Sequence, residues 1–477
     1  MKIEPPPQET EFSNSERLLE LPEAQKCLPG GIIKGIIITI IATVTALIFW
    51  KILPYEDTVN KGLAVLVFVA ILWFTEAVHI TITALMIPIL GVATGLPDFT
   101  AKKALSSFAD PIIFLFFGGF ALATALHAQK LDKKIATWII SLSGSNLGIA
   151  TLGIFSVTAF LSMWVSNTAT AAMMLPLALG LMSHLDIKKE RNTFVFILLG
   201  IAYSASVGGM GTLVGSPPNA IAAKYLNIDF TDWIKYGLPI VIVLMPILLG
   251  AMFLILRPKL NVKVRIQTED IPWTTTRILT LVVFIVTAFA WILGNTIEEK
   301  FGISNPDTFV ALCAAIMVVF LGLSSWKQVS DNTDWGVLFL FGGGITLSVL
   351  LKDSGASLAL GQQVAQTFGN DHPFLVIFMI AFFIIFWTEF TSNTASAALL
   401  VPVVASIASQ MGLPEELLVL IIGIGASCAF MLPVATPPNA IVFGTGLIKQ
   451  KEMVRIGIIL NIISIIIISI WGYFFLM

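Results

Sequence analysis

Two stretches of this chain set the same polar residues among apolar ones. Residues 166–176 read SNTATAAMMLP and residues 392–402 read SNTASAALLVP, 226 positions apart. Ser162 and Thr388 add a hydroxyl four residues before Ser166 and Ser392, about one helical turn away and on the same face. A second pair follows, GSPPNAI at 215–221 and ATPPNAI at 435–441, 220 positions apart. Pro217-Pro218 and Pro437-Pro438 remove backbone donors inside otherwise apolar helices and free the preceding carbonyls. Gly215 and Ala435 leave room for an ion to approach the backbone. Hydroxyl, amide and carbonyl oxygens together make an all-oxygen shell suited to a hard cation such as Na⁺.

The same tips suit an anion. Ser, Asn and Thr are N-cap residues, and a new short helix is expected to begin at each Ser-Asn-Thr. A helix N-terminus presents unpaired N–H groups and the positive end of its dipole, so two of them facing one cavity make an anion site. No Lys or Arg lies in either tip region or beside either Pro-Pro pair. An anion here is therefore held by hydroxyls, amides and dipoles, with bound cations supplying net positive charge. Coupling of anion to cation follows from the electrostatics.

The elements that position these residues belong in a membrane. Of 477 residues 57% are hydrophobic and 12% charged, against about 25% charged in soluble domains. Apolar spans of about 20 residues, the length that crosses a bilayer, fall near 35–53, 63–79, 80–96, 110–128, 193–224, 235–256, 275–296, 307–323, 335–351, 414–447 and 453–476. The stretches 148–184 and 373–411 are too long for one helix, and Ser-Asn-Thr interrupts each at its centre. Each reads as a re-entrant hairpin of two half-length helices. The spans 193–224 and 414–447 contain the Pro-Pro pairs and read as broken helices. Eleven crossings put the chain ends on opposite sides. Nineteen of the 27 Lys and Arg residues then fall on the side of the N-terminus and eight on the other, which makes the N-terminus cytosolic and the C-terminus external.

The matches between halves are collinear. Phe117-Gly118-Gly119 recurs as Phe341-Gly342-Gly343, and Asp110 recurs as Asp334, both 224 positions on. The expected fold is an all-α polytopic membrane protein of two inverted-topology repeats. It has about eleven transmembrane helices, two re-entrant hairpins and two unwound helices. Residues 1–34 form a cytosolic segment, 35–256 the first repeat half, 257–274 a cytosolic linker and 275–477 the second half. Inverted repeats with interrupted helices near the midplane are the architecture of secondary transporters.

Other features have plainer readings. A net charge of −2 gives no reason to expect nucleic acid, and Cys27, Cys313 and Cys428 form no disulfide or zinc pattern. The first 30 residues are polar, unlike a secretory signal. The Gly-rich run 208–215 lacks the Lys-Ser/Thr of a phosphate loop. No nucleophile–base pair or charged pore ring points to an enzyme or a channel. Asp110 and Asp334 read as N-caps, and His79 and His127 as interfacial. Glu76 and Glu389 lie in apolar runs, where an acid is by default functional, for example in proton coupling. Glu389 has Met163 as its repeat counterpart, so it is outside the doubled site, and a structural role between packed helices is the better reading.

At these residues the chain resembles the divalent anion/sodium symporter family, of the INDY-type bacterial dicarboxylate transporters, from about residue 35 onward. The resemblance implies a homodimer with scaffold and transport domains that interleave both halves, in a bacterial-type inner membrane. It implies Na⁺-coupled symport of C4 dicarboxylates such as succinate, malate or fumarate by an elevator motion, with about two or more Na⁺. A Na⁺-independent dicarboxylate exchanger, or a citrate or sulfate carrier, is the alternative within the same fold. One implied Na⁺ site comprises Ser162, Ser166, Asn167 and the backbone near Gly215; its twin comprises Thr388, Ser392, Asn393 and the backbone near Ala435. Implied substrate contacts are Asn167, Thr168, Ser216, Asn393, Thr394, Thr436 and Pro437.

Overall fold

A computed structural model describes residues 29–141, 146–263, 271–368 and 373–477. The described chain is helical, with no β-strand; an isolated bridge joins Asn146 to Lys263. The first half runs through α1 (Pro29–Ile52), α2 (Asp57–Thr75), α3 (Ile80–Ala93), α4 (Ala101–Ser106), α5 (Pro111–Ala128) and α6 (Leu131–Ser141). It continues through α7 (Leu147–Ser162), α8 (Asn167–Met182), α9 (Arg191–Gly208), α10 (Pro217–Leu226) and α11 (Phe230–Leu256). The second half holds α12 (Thr275–Ile292), α13 (Gly294–Phe301), α14 (Pro306–Phe320), α15 (Trp326–Asn332), α16 (Trp335–Asp353) and α17 (Ala356–Phe368). It ends with α18 (Pro373–Trp387), α19 (Asn393–Gln410), α20 (Glu415–Gly425), α21 (Pro437–Gly444) and α22 (Gln450–Phe475).

The repeat is visible in this order. From α2 onward the helices of the first half match those of the second one by one, apart from α1 and the short α13, which have no counterpart. Packing repeats the correspondence across the halves. The helix α3 packs on α16 while its counterpart α14 packs on α5; α10 packs on α19 and α20 while α21 packs on α8 and α9. Each half thus completes the other. The helices α9 and α20 sit at the centre, buried all round from Thr193 to Gly208 and from Leu417 to Gly425, as helices apolar on every face must be.

Among the described residues nine helices are long and apolar enough to cross a membrane, or ten if α13 and α14, bent by 100°, count as one span. Of the eleven expected crossings this test misses α3, of 14 residues, and the broken α20–α21, and it finds α14 only within the bent pair; the nine include the hairpin arm α19, which is not one of the eleven. Four differences from the sequence expectation have physical causes. The first helix starts at Pro29, so the expected 1–34 segment ends inside α1, and residues 1–28 lie outside the described residues, as do 264–270 of the expected linker. The hairpin arms hold 16, 16, 15 and 18 residues, about 22–27 Å at 1.5 Å per residue. They are therefore longer than half-length arms. Third, α6 and α17 were not anticipated, because their apolar residues form a stripe rather than a continuous run. Fourth, the Pro-Pro pairs do not sit within the breaks. They occupy the first two positions of α10 and α21, where a missing N–H costs nothing. Ser216 (φ −148°, ψ 136°) and Thr436 (φ −140°, ψ 148°) are extended before them, as a residue preceding proline prefers. The unwound segments are 209–216 and 426–436.

Candidate functional site

Both hairpins turn at the Ser-Asn-Thr tip as expected. Ser166 Oγ accepts the Ala169 N–H at 3.3 Å and Ser392 Oγ accepts the Ala395 N–H at 3.4 Å, capping α8 and α19. Asn167, Thr168, Asn393 and Thr394 are the first residues of those helices. On the other side, Ser216 and Thr436 precede α10 and α21, and Thr436 Oγ1 accepts the Asn439 N–H at 3.3 Å. All four N-termini open on one cavity of about 630 Å³. The sequence pointed to two converging helix ends; the fold supplies four. Asn167, Thr168, Ser216, Asn393, Thr394, Thr436 and Pro437 all line the cavity, together with Ser166, Gly215, Ser392 and Ala435. Among the described residues no Lys, Arg or His lines it, and its charged residues are Glu76 and Asp334.

Ser162 and Thr388 lie behind the cavity wall, fully buried. Ser162 Oγ is 2.6 Å from Asn167 Oδ1 and 2.7 Å from Ala205 O. A hydroxyl has one proton, so it cannot donate to both. The same end of the Asn167 amide lies 3.1 Å from Ala205 O and 3.3 Å from Gly215 O. With the amide nitrogen turned inward, it donates to these oxygens. With the amide oxygen inward, four oxygens share a single proton, a surplus of lone pairs that a cation satisfies. The second half repeats the pattern: Thr388 Oγ1 is 2.5 Å from Asn393 Oδ1 and 3.0 Å from Ala426 O. Ser162, Asn167 and Gly215 thus come together, as do Thr388 and Asn393, and the donor sets are all oxygen, as a hard cation requires.

Several contributors escaped the sequence reading. The Ala205 and Ala426 carbonyls left no signal, because every residue has one. Asn219 and Asn439 stand inside the repeated PPNAI motif. Asn219 Nδ2 donates to Gly209 O at 2.8 Å and Thr212 O at 2.7 Å; Asn439 Nδ2 donates to Ala429 O at 2.9 Å and Leu432 O at 3.1 Å. Each amide therefore ties two carbonyls of its own unwound segment, which cannot bond helically. Ser216 and Ser427 hydroxyls meet at 3.2 Å across the two halves.

The remaining acids fall into separate roles. Asp110 and Asp334 cap α5 and α16, accepting the Ile112 and Val337 N–H groups at 3.1 Å each. Asp110 also pairs with Lys224 of α10 at 2.8 Å. Glu76 ends α2 in a left-handed conformation (φ 45°) on the cavity wall. Glu389 is fully buried and accepts four N–H groups. His79 caps α3 and His127 pairs with Asp132 at 2.8 Å.

The two hairpins are not equivalently placed. On α19, Ala395 and Ala398 are each 1% exposed and Pro402 is buried. A Cβ on Gly344 of α16 would lie 2.8 Å from the Ala398 side chain. The matching positions on α8 tell the opposite story: Ala169 and Pro176 are exposed and Ala172 is half-buried. The second hairpin is sealed against the α3–α16 wall and the first stands open.

A model of the sodium:sulfate symporter transmembrane region matches residues 30–477. The chain belongs to the divalent anion/sodium symporter family. It is a transporter and not an enzyme. An uncharacterized transporter of Haemophilus influenzae is 56% identical over 450 residues, 93% of this chain and 97% of that one. A sodium-dependent dicarboxylate transporter, SdcS, of Staphylococcus saprophyticus is 32% identical over 462 residues, 88% of this chain and 87% of that one. In fold the transporter resembles the crystal structure of the Alcanivorax borkumensis YdaH transporter, with a TM-score of 0.55 and 14% identity, covering 78% of this chain and 87% of that one.

Proposed function

We propose that this transporter is a Na⁺-coupled symporter that moves C4 dicarboxylates, succinate-like and including malate or fumarate, into the cell. The observation that carries the reading is a cavity where four helix N-termini converge without a basic residue, flanked by two buried oxygen clusters with more lone pairs than protons. Helix ends alone carry about half a charge each and act over a short range. A dianion beside Glu76 and Asp334 gains stability chiefly from cations bound nearby. The cation clusters use Asn167 and Asn393, whose helix ends also face the substrate. Cation binding that turns each amide oxygen inward leaves the amide N–H groups for the substrate carboxylates. Ser162, Ser166, Asn167 and Gly215 would hold one cation, and Thr388, Ser392, Asn393 and Ala435 the other. Thr168, Ser216, Thr394, Thr436 and Pro437 would complete the substrate site. The SdcS relative's name supports Na⁺ and dicarboxylate as the pair.

The unequal hairpins support an elevator motion. Exchanging the roles of the halves puts Ala172 of α8 against Phe120 of α5, as Ala398 of α19 now lies against Gly344 of α16. With the charge bias placing the first hairpin at the cytosol, the described state is open inward. The unit that moves would hold the hairpins and broken helices, and the dimer would supply the fixed frame in an inner membrane with the N-terminus cytosolic. Succinate uptake into proteoliposomes tests the reading. Uptake should be strong with external Na⁺ and minimal with K⁺. Equal uptake in both would overturn it, and uptake requiring internal dicarboxylate while ignoring the Na⁺ gradient would favour the exchanger. Inhibition by citrate or sulfate orders the substrates.

A further inference from the structure

The two unwound segments are held in different ways. In the first half, Trp233 Nε1 donates to Met210 O at 3.0 Å and the Thr212 hydroxyl donates to Met163 O. No charged group takes part. In the second half, the carboxylate of Glu389 takes over. Its Oε1 accepts the Phe430 and Met431 N–H groups at 2.7 and 2.9 Å, and its Oε2 accepts the Leu432 N–H at 3.0 Å. Asn461 of α22 donates to Oε1 at 2.7 Å. Among the described residues Glu389 has no ion-pair partner. A buried charge supported only by dipoles is costly, and the repeat position offers Met163 instead.

Glu389 follows Thr388 directly, and the segment it grips begins at Ala426, whose carbonyl faces Thr388 Oγ1. Its carboxylate therefore lies within about 10 Å of the second oxygen cluster, given one residue of chain and about one helical turn of separation. We propose that Glu389 is a positioning residue that makes the two cation sites unequal. It fixes the unwound segment beside the second site and supplies a negative charge where the matching position in the first half holds Met163, so the second site fills first. This inference rests on the Na⁺ reading above. A unit charge about 10 Å away at an effective dielectric of about 20 changes cation affinity on the order of tenfold.

The test is thermal stability of the purified full-length protein titrated with NaCl, with choline chloride holding ionic strength constant. The wild type should show two Na⁺-dependent phases. Thr388→Ala should remove the phase at lower Na⁺, and Ser162→Ala the phase at higher Na⁺. Glu389→Gln should move the first phase roughly tenfold upward in Na⁺ and leave the second in place. Asn461→Ala keeps the charge and deletes one hydrogen bond; it should lower the melting temperature without moving either phase. Glu389→Asp, which retains the charge should the glutamine variant not fold, should hold the first phase within about threefold. A Glu389→Gln protein that titrates like the wild type, or a first phase lost in Ser162→Ala instead, overturns the inference and leaves the Na⁺ reading standing. A wild type that responds equally to Na⁺ and choline overturns both.

Discussion

Gly215→Ala offers a sharp test of the first proposed cation site. A Cβ at this position would lie 2.5 Å from Gly209 O, 3.0 Å from Ser162 O and 3.1 Å from Gly209 C. All three are backbone atoms, so no side-chain rotation relieves the contact. Overpacking of this kind costs about 1–3 kcal/mol, and the atom displaced with it is the Gly215 carbonyl facing the Asn167 amide at 3.3 Å. If half of that cost falls on the cation-bound form, about 0.5–1.5 kcal/mol, affinity falls about two- to tenfold. The mirrored position already carries Ala435, 8% exposed, in an unwound segment that is longer by three residues (426–436 against 209–216). Ala435→Gly should therefore cost only about 0.5–1 kcal/mol of chain entropy and shift Na⁺ dependence less than about fivefold. The assay is succinate uptake in proteoliposomes against external Na⁺, with thermal melts confirming that both variants fold. The expected result is a half-saturating Na⁺ concentration raised about two- to tenfold in Gly215→Ala. A folded Gly215→Ala protein with wild-type Na⁺ dependence would refute the reasoning, because the carbonyl would then be no part of the cation's surroundings.

Three further outcomes are expected. Asn439→Leu deletes the two bonds to Ala429 and Leu432 carbonyls and should lower stability by about 2–3 kcal/mol, read as a lower melting temperature; an unchanged melt contradicts its role. Lys224→Gln and Asp110→Asn should each shift the balance away from the described state by up to about fivefold, and the double variant should shift it no further. Asparagine keeps the cap on Ile112, so an effect confined to Lys224→Gln would show that their ion pair does not hold the state. In a cysteine-free background, Ala169→Cys should react with a maleimide and Ala398→Cys should not; Na⁺ with succinate should change that ratio if the hairpins trade places, and constant labelling would count against the elevator.

Much of the candidate site was legible because it is written twice. A motif repeated at nearly constant spacing identifies Asn167 with Asn393 and Ser216 with Thr436 without any structure. Composition and the interrupted apolar runs led to the hairpins and broken helices. Side-chain donors can be read in this way because each belongs to a residue type. Backbone carbonyls cannot, so Ala205 and Ala426 leave no mark in the sequence. The sequence pattern places the breaks at the Pro-Pro pairs, whereas proline's fixed φ serves better at the start of a helix than within unwound chain. The amphipathic α6 and α17 were lost because a span search rewards continuous apolar runs, and a stripe along one helix face is not one.

The sequence by itself determined the class of protein, the doubling and the residue types of the candidate site: hydroxyls, amides and helix starts in apolar surroundings. Those follow from residue identity and spacing, which folding cannot alter. Tertiary structure alone decided how many helix ends meet, which carbonyls join each cluster, that Glu389 braces one half with the N–H groups of residues 430–432, and that one hairpin is sealed while its twin is open. These depend on contacts between segments far apart in the chain. Two nearly identical motifs stand in different environments because each packs against its own set of distant segments.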